Sequence, residues 1–119
     1  MATIKNFEDL EIWNLSRQIT RSVYEDFIRN KDFGFRDQIQ RCSVSIMNNI
    51  AEGFCRNSDA EFSHFLNISR GSAGELKSMY YIAEDLNYLT KDLSSERRNF
   101  IQGLMNGTSI FMKYLKSSK

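Results

Sequence analysis

Residues 43–54 read "SVSIMNNIAEGF", and two overlapping patterns in this stretch indicate the fold. Ile46, Ile50 and Phe54 recur at every fourth residue, which is the spacing of the buried face of an α-helix. Between them lie asparagines and a glycine, which are poor helix formers; glycine costs about 1 kcal/mol relative to alanine. The stretch therefore predicts a helix with a second face whose residues serve something other than helix stability.

The composition favours a small all-α protein. The chain has 119 residues, a length that fits one domain over residues 1–119. Apolar residues make up 41% and charged residues 26%, as in globular proteins, and the absence of proline lets long helices run without interruption. No apolar run reaches the roughly 18 residues of a membrane span, and the N-terminus lacks the pattern of a signal peptide.

The two cysteines predict a reducing environment. Cys42 and Cys55 fall on one predicted helix, where a rise of about 1.5 Å per residue places them about 20 Å apart. Because that separation exceeds the reach of a disulfide, we expect reduced thiols and a cytoplasmic protein.

Four helices follow from the apolar spacing and from the signals at helix ends. Asn6 is the expected N-cap of a first helix that ends near Asn30, and the second runs from about Phe35 to Cys55. The predicted core face of the first helix consists of Ile12, Ser16, Ile19, Val23 and Phe27. The residues "SDAE", 58–61, form a capping box that begins the third helix. Its predicted core face consists of Phe65, Ile68, Ser72, Leu76, Met79, Ala83 and Leu86. After the connection "LTKDLSS", the core face of the fourth helix consists of Phe100, Leu104, Thr108, Phe111 and Leu115. Short connections between long helices predict an antiparallel up-down-up-down four-helix bundle.

The second helix also carries a polar line, about a quarter-turn from its isoleucines. The members of this polar line are Gln38, Arg41, Ser45, Asn49, Glu52 and Arg56. A solvated face is the usual role of such a line, but solvated faces favour Lys and Glu, whereas Gln, Ser and Asn suit a partly buried hydrogen-bond network. We expect Arg41 to pair with Glu75 of the third helix in such a network, shared by Asn49 and Glu52, within one subunit or between subunits. Gly53 lies on the apolar side, where the missing side chain lets another helix approach.

Several of these segments resemble a known family. They are "QIQR" at 38–41, "SIMNNIAEG" at 45–53, "EF" at 61–62 and "GSAGEL" at 71–76. The chain resembles the four-helix bundle family encoded in intervening sequences of bacterial large-subunit ribosomal RNA genes, and "FEDLEIW" at 7–13 is also similar. It departs from that family at Met47, where proline is usual. The candidate residues of the polar network and the family motif are Gln38, Arg41, Ser45, Asn49, Glu52, Gly53, Glu61, Gly71, Ser72 and Glu75.

The resemblance implies an assembly and a class of partner. The family is similar to accessory proteins of diversity-generating retroelements, which form five-membered rings and bind nucleic acid and a reverse transcriptase. It therefore implies a homopentamer, with RNA, DNA or a nucleic-acid enzyme as a further partner. An aromatic content of 13% points the same way, since so many rings exceed the needs of one narrow core and suit a subunit interface.

The net charge of +1 does not by itself indicate nucleic-acid binding, which would need a local patch repeated by assembly. Arg70 and Lys77 lie two turns apart, and we expect them on the outer face of the third helix; Arg36 lies outside the polar line. These three are the candidate phosphate contacts. The competing interpretation is a protein scaffold without nucleic-acid contact.

Signals for catalysis are weak. Glu61 and His64 match the Glu-x-x-His element of di-metal carboxylate bundles, but such a site needs two of these elements and the chain has one histidine. Cys55 and His64 flank the same short turn without a third group to orient them. The residues "RGSAGE", 70–75, lie within a helix and do not form a strand-to-helix phosphate loop. We therefore expect a non-enzyme without metal or cofactor, and a di-metal enzyme is the third alternative.

Overall fold

The computed structural model describes residues 4–117 as an antiparallel four-helix bundle. A short 3-10 helix, Phe7–Asp9, precedes four α-helices: α1, Glu11–Phe27; α2, Phe33–Phe54; α3, Asp59–Asp85; and α4, Lys91–Ser117. Both α1 and α3 pack against α2 and α4, so the helices follow one another around a shared apolar core. The predicted fold class is confirmed. None of the helices within residues 4–117 is both long and apolar enough to cross a membrane.

α1 buries the face that its sequence predicts, but it begins later than expected. Its buried residues are Ile12, Trp13, Ser16, Ile19, Val23 and Phe27. Asn6, the expected N-cap, instead precedes the 3-10 helix and makes no side-chain capping bond, and the extended residue Leu10 separates the two helices. The side-chain amide of Asn14 donates to the carbonyl oxygens of Glu8 at 2.8 Å and Leu10 at 3.0 Å, which fixes this bend at the start of α1.

α2 begins two residues before the predicted start because Asp32 caps it. The Asp32 carboxylate accepts a hydrogen bond of 3.2 Å from the backbone N–H of Phe35. The buried residues of α2 are Ile39, Cys42, Ser43, Ile46, Ile50 and Gly53, so its apolar spacing predicted the correct face. The Thr20 hydroxyl donates to the Ser43 carbonyl at 3.1 Å, and α1 therefore approaches α2 closely at small side chains.

α3 begins at its predicted cap but is rotated relative to its predicted core face. The Ser58 hydroxyl accepts from the backbone N–H of Glu61 at 3.2 Å. The buried residues are Phe62, Leu66, Ser69, Ala73, Leu76, Met79, Tyr80 and Ala83. Ile68 and Leu86, which the sequence assigned to the core, are 41% and 48% exposed. The reason lies in Ser69, whose hydroxyl donates to the Ile46 carbonyl at 2.8 Å: α3 turns its small residues toward α2, so the two helices pack closely.

The turn after α3 depends on a left-handed residue. Asn87 has a φ of 60°, and the backbone N–H of Tyr88 donates to the Ala83 carbonyl at 2.9 Å, which closes the end of α3. The buried residues of α4 are Ser94, Ile101, Leu104, Thr108 and Leu115. Phe100 and Phe111, which the sequence placed in the core, are only partly buried against it.

The core holds more aromatic side chains than the sequence suggested. Trp13 and Tyr80 are 9% and 0% exposed, so both rings belong to the core. Phe33 and Tyr81 remain 58% and 50% exposed. Some aromatic side chains are therefore exposed in the single chain, but fewer than the composition indicates.

Candidate functional site

Most of the sequence-predicted residues lie on two faces that share α3, whereas Arg36, Gly53 and Glu61 lie elsewhere. We define the α2–α3 face as the polar line of α2 together with Gly71, Ser72 and Glu75 of α3. We define the α3–α4 face as Arg70 and Lys77 together with the α4 residues that they contact, Gln102 and Ser109. The two faces lie on neighbouring sides of α3.

A network of neutral side chains joins α2 to α3 across the α2–α3 face. The hydroxyl oxygens of Ser45 and Ser72 lie 3.0 Å apart. The Asn49 amide donates to the Ser45 carbonyl at 2.8 Å and to the Ser45 hydroxyl at 3.1 Å. All three side chains are half-buried. The structure thus brings together three of the candidate residues, and the contact between Ser45 and Ser72 links α2 to α3.

Cys42 lies under this network as a hydrogen-bond donor. Its thiol donates to the Ser72 carbonyl, with a sulfur-to-oxygen distance of 3.1 Å. Burial, followed by the charge of Glu75 and a hydrogen bond with it, raises the pKa of the Cys42 thiol to about 12. The thiol therefore stays protonated at neutral pH and does not supply a thiolate nucleophile or metal ligand. Cys55 is also free, but it lies exposed just after α2.

The structure does not join Arg41 to Glu75 as the sequence suggested. Both side chains are exposed and line one shallow polar depression with Gln38. Among the described residues, no ion pair within 4.0 Å connects them, and the charge of Glu75 instead acts on Cys42, where it helps to raise the pKa of the thiol. An exposed pair gains little from contact, since both ions stay hydrated when apart. Within residues 4–117, Arg41 has no hydrogen-bond or ion-pair partner, and its side chain is exposed.

Glu52, at the C-terminal end of the polar line, makes a local contact. It pairs with Arg56 one turn later, with an N–O distance of 2.6 Å and about half of each side chain exposed. Such a pair contributes roughly 0.3–0.5 kcal/mol. The ion pair therefore joins two residues at the C-terminal end of α2 and makes no contact with α3.

Two glycines of the family motif have different surroundings. Gly53 is buried where α2 meets α3, and a Cβ built there would lie 2.7 Å from the Phe65 Cβ and 3.2 Å from the Phe62 carbonyl oxygen. Only glycine fits that contact. Gly71 lies exposed in the middle of α3, and a Cβ there would meet nothing within 4 Å. No contact among the described residues explains why α3 has glycine at position 71.

Arg70 and Lys77 extend toward α4, not outward from α3 as expected, because α3 is rotated. The Arg70 guanidinium donates to the Ser109 hydroxyl at 2.9 Å and to the Asn67 side-chain oxygen at 2.7 Å. The Lys77 ammonium donates to the Gln102 side-chain oxygen at 2.7 Å. All three acceptors are neutral, so both cations are held in place with their charge uncompensated.

Arg36 does not share this face. It lies on α2, which does not contact α4 within the described residues. Its guanidinium sits 4.8 Å from the centre of the Phe33 ring, and its Nε lies 3.9 Å from the Asp37 carboxylate. The three candidate phosphate contacts therefore do not form one patch within a single chain.

Glu61 takes part in the cap of α3. Its carboxylate accepts from the Ser58 hydroxyl at 3.4 Å, and so reaches the side chain of the cap residue where a full capping box would use the backbone N–H. His64 packs edge-on against Phe65, with ring centres 5.5 Å apart. Within residues 4–117, no three or more His, Cys, Asp or Glu side chains cluster in a way that could hold a metal ion.

The sequence interpretation missed a buried ionic network that joins α1, α3 and α4. The Arg97 guanidinium donates to both carboxylate oxygens of Asp26, at 2.8 and 3.0 Å, and the Tyr80 hydroxyl donates to the same carboxylate at 2.8 Å. The Asp26 side chain is only 6% exposed. The hydrogen bond with Asp26 raises the pKa of Arg97, while burial and then the Asp26 charge raise the pKa of Tyr80. No local motif announces this network, since Asp26 and Arg97 are 71 residues apart.

The comparisons with known proteins agree with the bundle. The family described as "23S rRNA-intervening sequence protein" matches residues 8–107. A crystal structure of a protein of unknown function from the S23 ribosomal protein family of Bacteroides thetaiotaomicron VPI-5482 is similar, with a TM-score of 0.79 and 23% sequence identity. The match covers 86% of this chain and 98% of that one. No functionally curated protein matches the chain at a significant level.

Proposed function

The chain belongs to the 23S rRNA-intervening sequence protein family, and we propose that it is a non-enzymatic, ring-forming homo-oligomer that presents a basic surface to nucleic acid. The proposal has two parts, assembly through the α2–α3 face and phosphate binding by the α3–α4 face. Each part can fail without the other, so each has its own test.

Assembly is supported by what the α2–α3 face leaves without a partner. Arg41 is exposed without a partner among the described residues, and Gly71 keeps an open space where any other residue would place a side chain. Both lie beside the network of Ser45, Asn49 and Ser72, and Arg41 lines the shallow polar depression on this face. An open polar depression of this kind can receive side chains of another subunit. The resemblance noted above favours a homopentamer.

Phosphate binding rests on one observation, the neutral anchoring of Arg70 and Lys77. Ion-paired cations must lose their partner before they bind phosphate, as Arg98 would lose Glu84, which lies 2.7 Å away. Arg70 and Lys77 are instead positioned by hydroxyl and amide oxygens. Their charge therefore remains available to phosphate oxygens at little cost.

Assembly explains how a chain of net charge +1 could bind a polyanion. Two anchored cations per subunit make a weak site. Repeated around a ring, the same two cations form a band whose contacts add through avidity, provided that one strand can reach several subunits.

The mass in solution tests assembly. Light scattering coupled to gel filtration should give a mass near five times the 13.9 kDa chain. A monomer at micromolar concentration would contradict the assembly proposal. In that case, Arg41 and Gly71 would be ordinary surface residues.

Salt-dependent binding of labelled RNA and DNA tests the nucleic-acid part. The affinity of the wild-type protein should fall steeply with salt and depend little on sequence, because phosphate contacts release counterions and carry no base information. The double variant Arg70→Gln with Lys77→Gln should lose most of this binding and reduce the slope of log affinity against log salt.

A matched control removes the same charge elsewhere. Arg21 and Arg29 are exposed and belong to the α1 side of the bundle. The double variant Arg21→Gln with Arg29→Gln should bind nearly as well as wild type. Equal losses in the two double variants would mean that only net charge matters, which contradicts a specific α3–α4 face.

A protein scaffold is the second candidate, and one observation favours it. Ile110 on α4 is 69% exposed beside a groove between α1 and α4 that Leu15, Gly103 and Gly107 also line. The groove itself is lined mostly by apolar residues, including Phe111 and Tyr114, and a contiguous exposed apolar surface marks protein-contact sites. If the wild-type protein retains no RNA or DNA at about 50 mM salt, where phosphate contacts are strong, the scaffold becomes the better proposal.

A further inference from the structure

A second part of the α3–α4 surface combines charge with an apolar floor. Between the first turns of α3 and the last turns of α4 lies a groove of about 410 Å³, which we call the terminal groove. Ala60 and Met112 contribute apolar surface, and Arg70, Lys113 and Lys116 line it with positive charge. Its size falls within the roughly 300–1,000 Å³ typical of ligand-binding clefts.

The charges around the terminal groove favour an anionic ligand. Three cations face one carboxylate, that of Asp59. Neither Lys113 nor Lys116 forms an ion pair within 4.0 Å with another described residue. Arg70 is held by Ser109 and Asn67, so its guanidinium is a fixed donor at the edge of the groove.

The floor distinguishes this groove from a simple phosphate patch. Met112 is flexible and polarizable, and methionine sulfur packs favourably against aromatic rings. A phosphate group would contact only the cations, and it would leave the apolar floor between them uncovered. A nucleotide fills both parts, because its planar base is largely apolar on its faces and its phosphates are anionic.

We propose that the terminal groove takes an unpaired base of a single-stranded nucleic acid over Met112 and Ala60, with the flanking phosphates on Arg70, Lys113 and Lys116. This inference rests on the proposed nucleic-acid function and adds the strand type to it. A base within a duplex is stacked and paired, and exposing it costs a few kcal/mol. The groove therefore discriminates against duplexes.

A surface that binds through electrostatics alone should prefer the duplex over the single strand, so the two hypotheses predict opposite results. A duplex presents phosphates at higher density than a single strand, so a purely cationic surface binds it at least as well. The probes are a fluorescein-labelled oligouridylate of about 20 nucleotides, longer than the roughly 4–16 nucleotides that small single-strand binding domains cover, and its duplex with oligoadenylate. Fluorescence anisotropy at one salt concentration should show that the wild-type protein binds the single strand about fivefold or more tightly, a difference of about 1 kcal/mol.

Variants of the floor locate the preference. Met112→Gln should bring the ratio of the two affinities close to one, because the base loses its apolar support while every cation stays. Ile110→Gln is the matched control, since it removes an exposed apolar side chain from α4 outside the groove, and it should keep the wild-type ratio. Met112 is partly buried, so Ala60→Gln, at an exposed position, repeats the test without risk to the fold.

The outcomes separate this inference from the function on which it rests. Binding of neither probe overturns both. Equal binding of single strand and duplex leaves nucleic-acid binding in place and overturns the groove. A single-strand preference that survives both Met112→Gln and Ala60→Gln also overturns it. Displacement of the RNA by polyglutamate as readily as by unlabelled oligouridylate would identify the groove as a general acidic-polymer site and overturn its assignment to a base.

Discussion

Glycine-to-alanine substitution should have opposite effects at different helix positions of this protein. At Gly71 in α3 and Gly103 in α4, an added Cβ meets nothing within 4 Å. Alanine is favoured over glycine by about 1 kcal/mol in a helix interior, in part because it restricts the unfolded chain. Gly71→Ala and Gly103→Ala should therefore each raise the free energy of unfolding of the chain by about 1 kcal/mol.

At Gly53 the same substitution should destabilise the chain. The added Cβ would lie 2.7 Å from the Cβ of Phe65 and 3.2 Å from the carbonyl oxygen of Phe62. Both atoms are fixed to the backbone of α3, so α2 and α3 must move apart. Overpacking of a core costs about 1–3 kcal/mol. Because helix propensity returns at most about 1 kcal/mol, the net loss should be up to about 2 kcal/mol.

Urea unfolding followed by circular dichroism measures all three variants. It should be repeated at several protein concentrations, since assembly adds stability that depends on concentration and would otherwise mask the chain's own change. A Gly53→Ala variant as stable as Gly71→Ala would refute the close contact between α2 and α3.

A longer side chain at the same two open positions then tests assembly. Glutamine is a good helix former, so Gly71→Gln and Gly103→Gln should both preserve the folded chain. If the α2–α3 face packs against another subunit, Gly71→Gln should lower the mass measured by light scattering, whereas Gly103→Gln should not. Equal loss of assembly in both variants would refute the assignment of the contact to the α2–α3 face.

Three further predictions concern the buried network, the thiols and the α3–α4 turn. Asp26→Asn should destabilise the chain by about 2–4 kcal/mol in urea unfolding, because it leaves the guanidinium of Arg97 poorly compensated. A loss below about 1 kcal/mol, the scale of an exposed pair, would contradict that burial. A thiol reagent at pH 8 should modify Cys55 readily and Cys42 only on unfolding, because burial and a nearby carboxylate raise the pKa of Cys42 to about 12 and keep it protonated below that pH. Equal rates for the two thiols in the folded protein would show that Cys42 is accessible. Asn87→Ala should lower the free energy of unfolding by about 1 kcal/mol, whereas Asn87→Gly should lower it little, because a φ of 60° is unfavourable for residues with a Cβ. Equal costs would mean that the asparagine side chain, and not its backbone, matters.

The sequence predicted α1 and α2 well because each offered one apolar stripe. In α2, Ile39, Ile46 and Ile50 stand on a single face with polar residues on both sides, so only one rotation buries them. The helix ends were predicted less accurately. Asp32, for example, caps α2 through a side-chain hydrogen bond, and the spacing of apolar residues does not indicate that bond.

The first half of α3 was predicted in the wrong rotation because its sequence offers two stripes there, whereas Leu76, Met79 and Ala83 are buried as predicted. Phe65 and Ile68 compete with Phe62 and Leu66, and hydropathy does not separate them. Ser69 favours the stripe that contains Phe62 and Leu66, because its hydroxyl can donate to the Ile46 carbonyl only when that side of α3 packs against α2. The same error placed Arg70 and Lys77 on the outer face. Pairs such as Asp26 with Arg97 lay beyond sequence reasoning for another reason: only the folded bundle brings them together.

The poor helix formers of α2 and α3 divide into those that one chain explains and those that it does not. Asn49 is a poor helix former, but it makes hydrogen bonds within the network that joins α2 to α3. Gly53 is another poor helix former, and its missing side chain lets α2 and α3 approach closely. Asn48 is exposed without a side-chain hydrogen bond among the described residues, and Gly71 faces open space. Each costs its helix up to about 1 kcal/mol, and both lie on the outward side of the α2–α3 pair.

A second chain packed on that side would explain why Asn48 and Gly71 are present despite their cost in helix stability. Such packing would also affect nucleic-acid binding. Because α3 carries Gly71 on one side and Arg70 on the next, contact through the α2–α3 face would hold each copy's α3–α4 face in a fixed relation to its neighbour's. The cations would then repeat at a regular spacing, which is what a multivalent contact with one strand requires. On this reasoning, Gly71→Gln should weaken nucleic-acid binding although every cation remains in place, and unchanged affinity in a dispersed variant would show that a single chain binds alone.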